Sequence, residues 1–261
     1  MAASEDPFPH HSLTAAEAMF EQDNQLRPRR VLVNSIPKSG TTWVRTMLAA
    51  LPGYSEFPMQ GLTGTDMSEL DGVRPGQVFH GHLRSSPELY RLLRARDFAT
   101  VFVYRDLRDV VVSNYFHLSV LNPKRAPDSF KGRTKDELLD ASVIPEWCVS
   151  ARRYPDIRNW IASDYPTVTY EELKANTGRT LLRVLQAMGF RATIRLCEEI
   201  VERTSFRAIS GRREGVEDPT SPLRRGIVGD WRNHFSAENT TRFHEKYGDL
   251  LREFGYSTEL P

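Results

Sequence analysis

Short, unbroken apolar runs alternate along the chain with longer stretches in which apolar residues recur every three or four positions. The short runs are rich in Val, Thr and Phe and are bounded by polar residues, the mark of buried strands. They predict strands over 30–35, 77–82, 99–104 and 167–170. The periodic stretches predict helices over 42–51, 87–96, 106–118, 135–141, 145–162, 170–188, 195–204 and 237–254. Strands separated by helices pair in parallel, because the crossover carries the chain back over one face. The expected fold is therefore α/β, a central, mostly parallel sheet flanked by helices. Ligands in such sheets collect outside the carboxyl ends of the strands. Two stretches, 121–134 and 210–226, are rich in Pro, Gly and basic residues and read as binding loops.

Composition narrows the class. A chain of 261 residues with 39% hydrophobic and 26% charged residues suits one soluble domain over 1–261, with 1–25 as a partly flexible lead-in. A net charge of +1 gives no general attraction to nucleic acid or to a membrane surface. No apolar run is long enough to span a bilayer, and the first residues lack the basic and apolar regions of a secretory signal. The two cysteines, Cys148 and Cys197, fall inside helical patterns without metal-ligand spacing, as expected of buried thiols in the cytoplasm.

The segment Val31-Leu-Val-Asn-Ser-Ile-Pro-Lys-Ser-Gly-Thr-Thr-Trp43 turns from a strand tightly into a helix. The first N–H groups of a helix lack partners and carry partial positive charge, so such a turn receives anions. Lys38 adds a full charge, Gly40 permits close backbone approach, and Ser39, Thr41 and Thr42 add hydroxyls. A Walker A loop would place Lys after a second glycine; here Lys precedes the only one. In a second segment, Tyr104-Arg105-Asp106 through Ser113, Arg105 ends a buried strand and Ser113 lies on the following helix. Read alone, Arg105 serves a phosphate or simply pairs with Asp109. A third, Arg224-Arg225-Gly226 followed by Gly229-Asp230-Trp231, is either a phosphate clamp or a solvated basic loop.

In this order and spacing, the three segments resemble the sulfotransferases that use 3′-phosphoadenosine 5′-phosphosulfate (PAPS), especially the soluble cytosolic type, over residues 30–255. The resemblance implies a P-loop-related fold. It implies that Lys38, Ser39, Gly40, Thr41 and Thr42 hold the 5′-phosphate and sulfuryl oxygens and that Trp43 stacks on adenine. Arg105, Ser113, Arg224, Arg225 and Gly226 would hold the 3′-phosphate, and Tyr170, Thr204 and Phe206 the adenine side. His82 aligns with the catalytic histidine, and a neutral imidazole accepts a hydroxyl proton near neutral pH. Lys38 would neutralise the bridging oxygen, and no metal is expected.

The chain departs from the family at three places. Arg225 replaces the usual Lys. His80 stands where the family has Lys two residues before the base. The family dimer motif matches poorly, with Arg232, Ser236, Ala237 and Thr241 at its positions, which leaves the oligomeric state open. The acceptor is expected to be a small, partly apolar alcohol or phenol bounded by 57–65, 83–89, 115–121 and 210–223. His117, His234 and His244 read as surface residues. The competing readings are a P-loop-related kinase or NTPase, which would show a Mg²⁺-binding acid, and a catalytically silent nucleotide-binding module.

Overall fold

The computed structural model describes residues 14–24, 28–58, 62–64, 67–149 and 154–259. Helix α1 (Ala15–Asn24) precedes β1 (Arg30–Ser35), which a tight turn joins to α2 (Thr41–Ala49). The short strands β2 (Ser55–Glu56) and β3 (Leu62–Gly64) lead to β4 (Gln77–Leu83), α3 (Pro87–Ala95), β5 (Phe98–Tyr104) and α4 (Leu107–Phe116). Three further helices follow, α5 (Lys135–Leu139), α6 (Ile144–Val149) and α7 (Tyr154–Ile161), before β6 (Thr167–Thr169). The chain closes with α8 (Tyr170–Ala175), α9 (Thr177–Ala187), α10 (Ile194–Arg203), α11 (Phe206–Ser210) and α12 (Ala237–Glu253).

The strands pair in the order β2-β4-β1-β5-β6, with β3 also on β4, and every pairing is parallel. β1 sits in the middle, with Val31 opposite Val78 on one side and Ala99 on the other. Side chains alternate across a strand. Leu32, Phe79, Phe98 and Phe102 accordingly enter one core with Trp160, Phe243 and Leu251, whereas Val31, Val33, Val101 and Val103 enter a second with Met47, Leu48, Leu185 and Leu196. Two buried faces explain the unbroken apolar runs Val31–Val33 in β1 and Val101–Val103 in β5, where apolar and polar residues do not alternate. Trp160 stacks on Phe102 with ring centroids 5.4 Å apart. Cys148 and Cys197 are buried and form no disulfide.

Several elements differ from expectation. The predicted helix over 170–188 breaks at Asn176, whose backbone leaves the helical region and whose side chain caps α9 by accepting from the Arg179 N–H at 3.1 Å. The helix over 145–162 is two, α6 and α7; residues 150–153 lie outside the described residues. The helix expected to run to 118 leaves the α form at Phe116 and continues as a π-turn over His117–Leu121. The proposed lead-in contains α1, whose Phe20 packs against Tyr54 and Phe190 at 6.5 and 6.1 Å; residues 1–13 and 25 lie outside the described residues. Among the described residues, no helix is long and apolar enough to cross a membrane.

Candidate active site

Four neighbouring strands deliver one functional side chain each at their carboxyl ends. Lys38 follows β1, His82 is the penultimate residue of β4, Arg105 follows β5, and Tyr170 follows β6. Between β1 and α2 the backbone takes left-handed conformations at Lys38 (φ 73°) and Gly40 (φ 91°). Gly40 is the N-cap of α2 and brings no side-chain acceptor, so the leading N–H groups of that helix stay available to an anion. Glycine is required there twice over: a Cβ would sit 2.8 Å from Cδ2 of Tyr170. Lys38 is half-buried, and burial, then the charges of Arg105 and Arg224, push its ammonium down to about 8.

His82 is oriented from behind. Its Nδ1 lies 3.0 Å from the Ser35 carbonyl oxygen and 3.0 Å from Ser35 Oγ, which is itself 2.5 Å from Thr41 Oγ1. Donation from Nδ1–H to the carbonyl puts the basic lone pair on Nε2. His80, in the position of the family Lys, accepts from Arg45 Nη1 at 3.1 Å. Burial, then the charges of Arg45 and His82, push its imidazole down to about 4. The cation beside His80 is Arg45, which also pairs with Glu56 at 3.2 Å.

Arg105 makes the ion pair with Asp109 that the sequence left open and also lines the main cavity. It bonds Asp109 Oδ2 at 2.9 Å and the Ile227 carbonyl at 2.7 Å, and its guanidinium lies 4.1 Å over the Tyr170 ring. Asp109 in turn accepts from the N–H of Gly229 at 2.8 Å and of Trp231 at 2.9 Å. One carboxylate thus ties the second segment to the third across the molecule. Arg224 bonds Glu217 and Asp230, and Arg225 bonds Asp230 at 2.6 Å. Asp230 also accepts from Asn233 and His234, and these bonds together hold it well below the usual carboxylate range despite its burial. Gly226 (φ 70°) lies so close to Phe206 that a Cβ would fall 2.6 Å from the ring. Trp43 donates from Nε1 to the Thr204 carbonyl at 3.1 Å and meets Tyr170 edge-on at 5.9 Å.

These groups surround a cavity of about 720 Å³. Lys38, Gly40, Thr41, Thr42, Trp43, His82, Arg105, Ser113, Tyr170, Phe206, Arg224, Arg225 and Gly226 all line it. Two expected residues do not. Ser39 is fully buried, and Thr204 is buried with its hydroxyl donated to the Ile200 carbonyl at 2.7 Å, so Thr204 reaches the site only through the carbonyl that holds Trp43. A second cavity, of about 230 Å³, shares Pro37 and His82 and is walled by Leu83, Phe102 and Trp160. The chamber fits a phosphorylated nucleotide: two glycines clear space beneath Tyr170 and Phe206, and Ser39 Oγ and Arg105 Nε are buried polar atoms with no protein partner.

Three histidines depart from the surface placement. His117 lines the main cavity. His234 accepts from Lys135 Nζ at 2.6 Å and lies 3.2 Å from Asp230. His244 accepts from the buried Arg108 at 3.0 Å. The acceptor walls shift as well. Leu118, Pro222, Leu223 and Trp147 line the main cavity, whereas Phe57 packs on Phe79 at 5.6 Å; residues 59–61 and 65 lie outside the described residues. Arg45 and Arg125 went unnoticed in the sequence, and so did the roles of Asp109 and Asp230 in tying the Arg224–Trp231 segment together. An acid four residues after Arg105 was the one local hint.

Fold and site together define an α/β enzyme with an anion-binding strand–loop–helix at the centre of a parallel sheet. The family model for the sulfotransferase domain matches residues 28–255, and the chain belongs to the sulfotransferase family. Its relatives include human Sulfotransferase 2A1, 26% identical with 87% of each chain covered, and bovine Sulfotransferase 1E1, 24% identical with 88% of this chain and 86% of the relative covered. A guinea pig 3-alpha-hydroxysteroid sulfotransferase is 22% identical over 86% of this chain and 83% of its own. Among solved structures, mouse sulfotransferase SULT7A1 complexed with PAP superposes with a TM-score of 0.60 at 20% identity, covering 91% of this chain and 89% of that one. Retinol dehydratase in complex with androsterone and the inactive cofactor PAP gives 0.63 at 17% identity, covering 90% and 83%.

Proposed function

We propose that this enzyme transfers the sulfuryl group of PAPS to the hydroxyl of a small, partly apolar alcohol or phenol. The observation that carries the reading is the placement of Lys38 and His82 on one cavity wall, with His82 held by Ser35 in the tautomer that leaves Nε2 basic. Lys38 and the first turn of α2 bind the 5′-phosphosulfate, Trp43, Tyr170 and Phe206 frame the adenine, and Arg105, Ser113, Arg224 and Arg225 receive the 3′-phosphate. His82 takes the hydroxyl proton as the acceptor oxygen bonds to sulfur. The bridging S–O bond breaks, its electron pair leaves on the nucleotide phosphate, and Lys38 neutralises that oxygen. Catalysis is positioning and preorganised charge, as in phosphoryl transfer.

The guinea pig relative is named for 3-alpha-hydroxysteroids and the dehydratase structure holds androsterone, in keeping with an apolar alcohol as acceptor. The buried thiols suit a reducing compartment, and the reading places the enzyme in the cytoplasm. The test is His82→Ala assayed over a panel of phenols and alcohols. General-base loss should lower kcat by about 10²–10⁴-fold while the desulfated nucleotide still binds. Near-normal turnover would remove His82 from the role.

A further inference from the structure

The cations that line the main cavity are nearly all matched by acids. Arg105 pairs with Asp109, Arg224 and Arg225 with Asp230, Lys174 with Glu214, and Arg45 with Glu56. The two acids of the lining, Glu214 and Asp230, are both spent in these pairs. Among the described residues, Lys38 and Arg125 are the lining cations without a carboxylate in ion-pair range. Lys38 belongs to the sulfuryl loop. Arg125 has no such duty. It stands exposed on the short 3₁₀ turn Pro123–Arg125, just after the π-turn that carries His117 and Leu118, on an element that carries none of the other lining cations.

The two unmatched cations are neighbours of one imidazole. His117 is pushed down to about 4 by burial, then by the charges of Lys38 and Arg125, so it is neutral and adds no competing charge at neutral pH. Leu118 and Trp147, the latter 41% exposed, give the same chamber apolar walls. The base, the sulfuryl-side lysine, a neutral polar ring, apolar walls and a guanidinium without a counter-ion therefore line one space.

We propose that the acceptor is an anionic alcohol or phenol, bearing a carboxylate or sulfonate besides its hydroxyl, and that Arg125 receives that anion. The inference rests on the sulfotransferase reading of this cavity. An uncompensated guanidinium discriminates by charge: it offers paired, charge-assisted N–H bonds to a planar carboxylate and only a weaker neutral hydrogen bond to the carbonyl of its amide. Arg125 acts on acceptor choice and not on the reacting atoms.

The test uses hydroxyaryl carboxylates of increasing spacer length, from 4-hydroxybenzoate to 4-hydroxyphenylpropionate, each paired with its own amide. Wild-type enzyme should favour at least one carboxylate over its amide by about tenfold or more in kcat/KM, the scale of one charge-assisted contact. Arg125→Gln should bring that ratio close to one, and Arg125→Lys should retain most of it. Calorimetric binding of the preferred carboxylate to the enzyme without donor should weaken in parallel in Arg125→Gln. Equal rates for every pair in wild type, or an unchanged ratio in Arg125→Gln, overturns the proposal and leaves the sulfotransferase reading intact. An equal loss of affinity for the desulfated nucleotide in Arg125→Gln assigns the residue to the donor and also overturns it. Failure of wild type to bind that nucleotide or turn over any acceptor defeats both readings together.

Discussion

Replacing Asp109 by Asn tests whether one buried carboxylate assembles the donor site. The Asp109 side chain is 0% exposed and accepts three hydrogen bonds, from Trp231 N–H on Oδ1 and from Gly229 N–H and Arg105 Nη2 on Oδ2. An amide of the same shape has one acceptor oxygen and one donor group. Its better orientation keeps the oxygen toward Gly229 and Arg105 and turns the NH₂ onto the Trp231 N–H, donor against donor. Arg105 meanwhile loses its charge partner and keeps a neutral hydrogen bond to that oxygen, the Ile227 carbonyl and the Tyr170 face. A stranded buried donor and a weakened buried ion pair together cost about 2–4 kcal/mol. With a urea m-value near the top of the usual range, ~3 kcal/mol/M for a chain of this size, the unfolding midpoint should fall by about 1 M. Tryptophan fluorescence follows the transition, and calorimetry with the desulfated nucleotide should show affinity reduced by about tenfold or more, because Arg105 and the 224–231 segment lose their common anchor. A midpoint shift below about 0.3 M together with nucleotide affinity within about twofold of wild type would refute the reasoning.

Two further perturbations follow from the site. Burial and neighbouring charge push Lys38 down to about 8 in the folded enzyme from its ordinary value of 10.5, so between these values the unfolded chain binds more protons and the group's contribution to stability rises with pH. The charge needed for the donor fades over the same window. Nucleotide affinity should therefore show an alkaline limb centred near 8 while stability of the free enzyme gains, and Lys38→Arg should lose both effects; an identical limb in the variant would remove Lys38 as its source. Gly226→Ala forces a left-handed alanine, about 1–2 kcal/mol, and drives a Cβ to 2.6 Å from the Phe206 ring, whereas Gly132→Ala has a similar φ of 75° and nothing within 4 Å. Denaturation and nucleotide binding of the pair should show the larger loss at Gly226, and equal losses would dismiss the ring contact.

The central strands were legible because burial on both faces writes an uninterrupted apolar run. β1 and β5 are of this kind, and the strand–loop–helix after β1 could be read from a single lysine, glycine and set of hydroxyls. β2 escaped because Ser55 and Glu56 are exposed edge residues with no apolar signature. The break at Asn176 was hidden by continuous helical periodicity on both sides of a capping residue. The site resisted where its logic is three-dimensional. Asp109 reaches residues about 120 positions away, a relation that no spacing along the chain records. Single histidines carry no periodic signal, so nothing distinguished the cavity-lining His117 from a solvated one. Thr204 matched a motif yet turned its hydroxyl into its own helix, because a buried threonine at a helix end satisfies itself on the carbonyl four residues back.

The tie between Asp109 and the Gly229–Trp231 backbone has a consequence for how the molecule comes into being on the ribosome. The clamp that the proposal assigns to the nucleotide's ribose end comes from the Arg224–Trp231 segment, while its partner strands emerge much earlier. A nascent chain that has made the whole sheet still lacks half of that grip until residue 231 has emerged. On that reading, binding energy from the nucleotide stabilises the fold with this segment docked and not the intermediates that precede it.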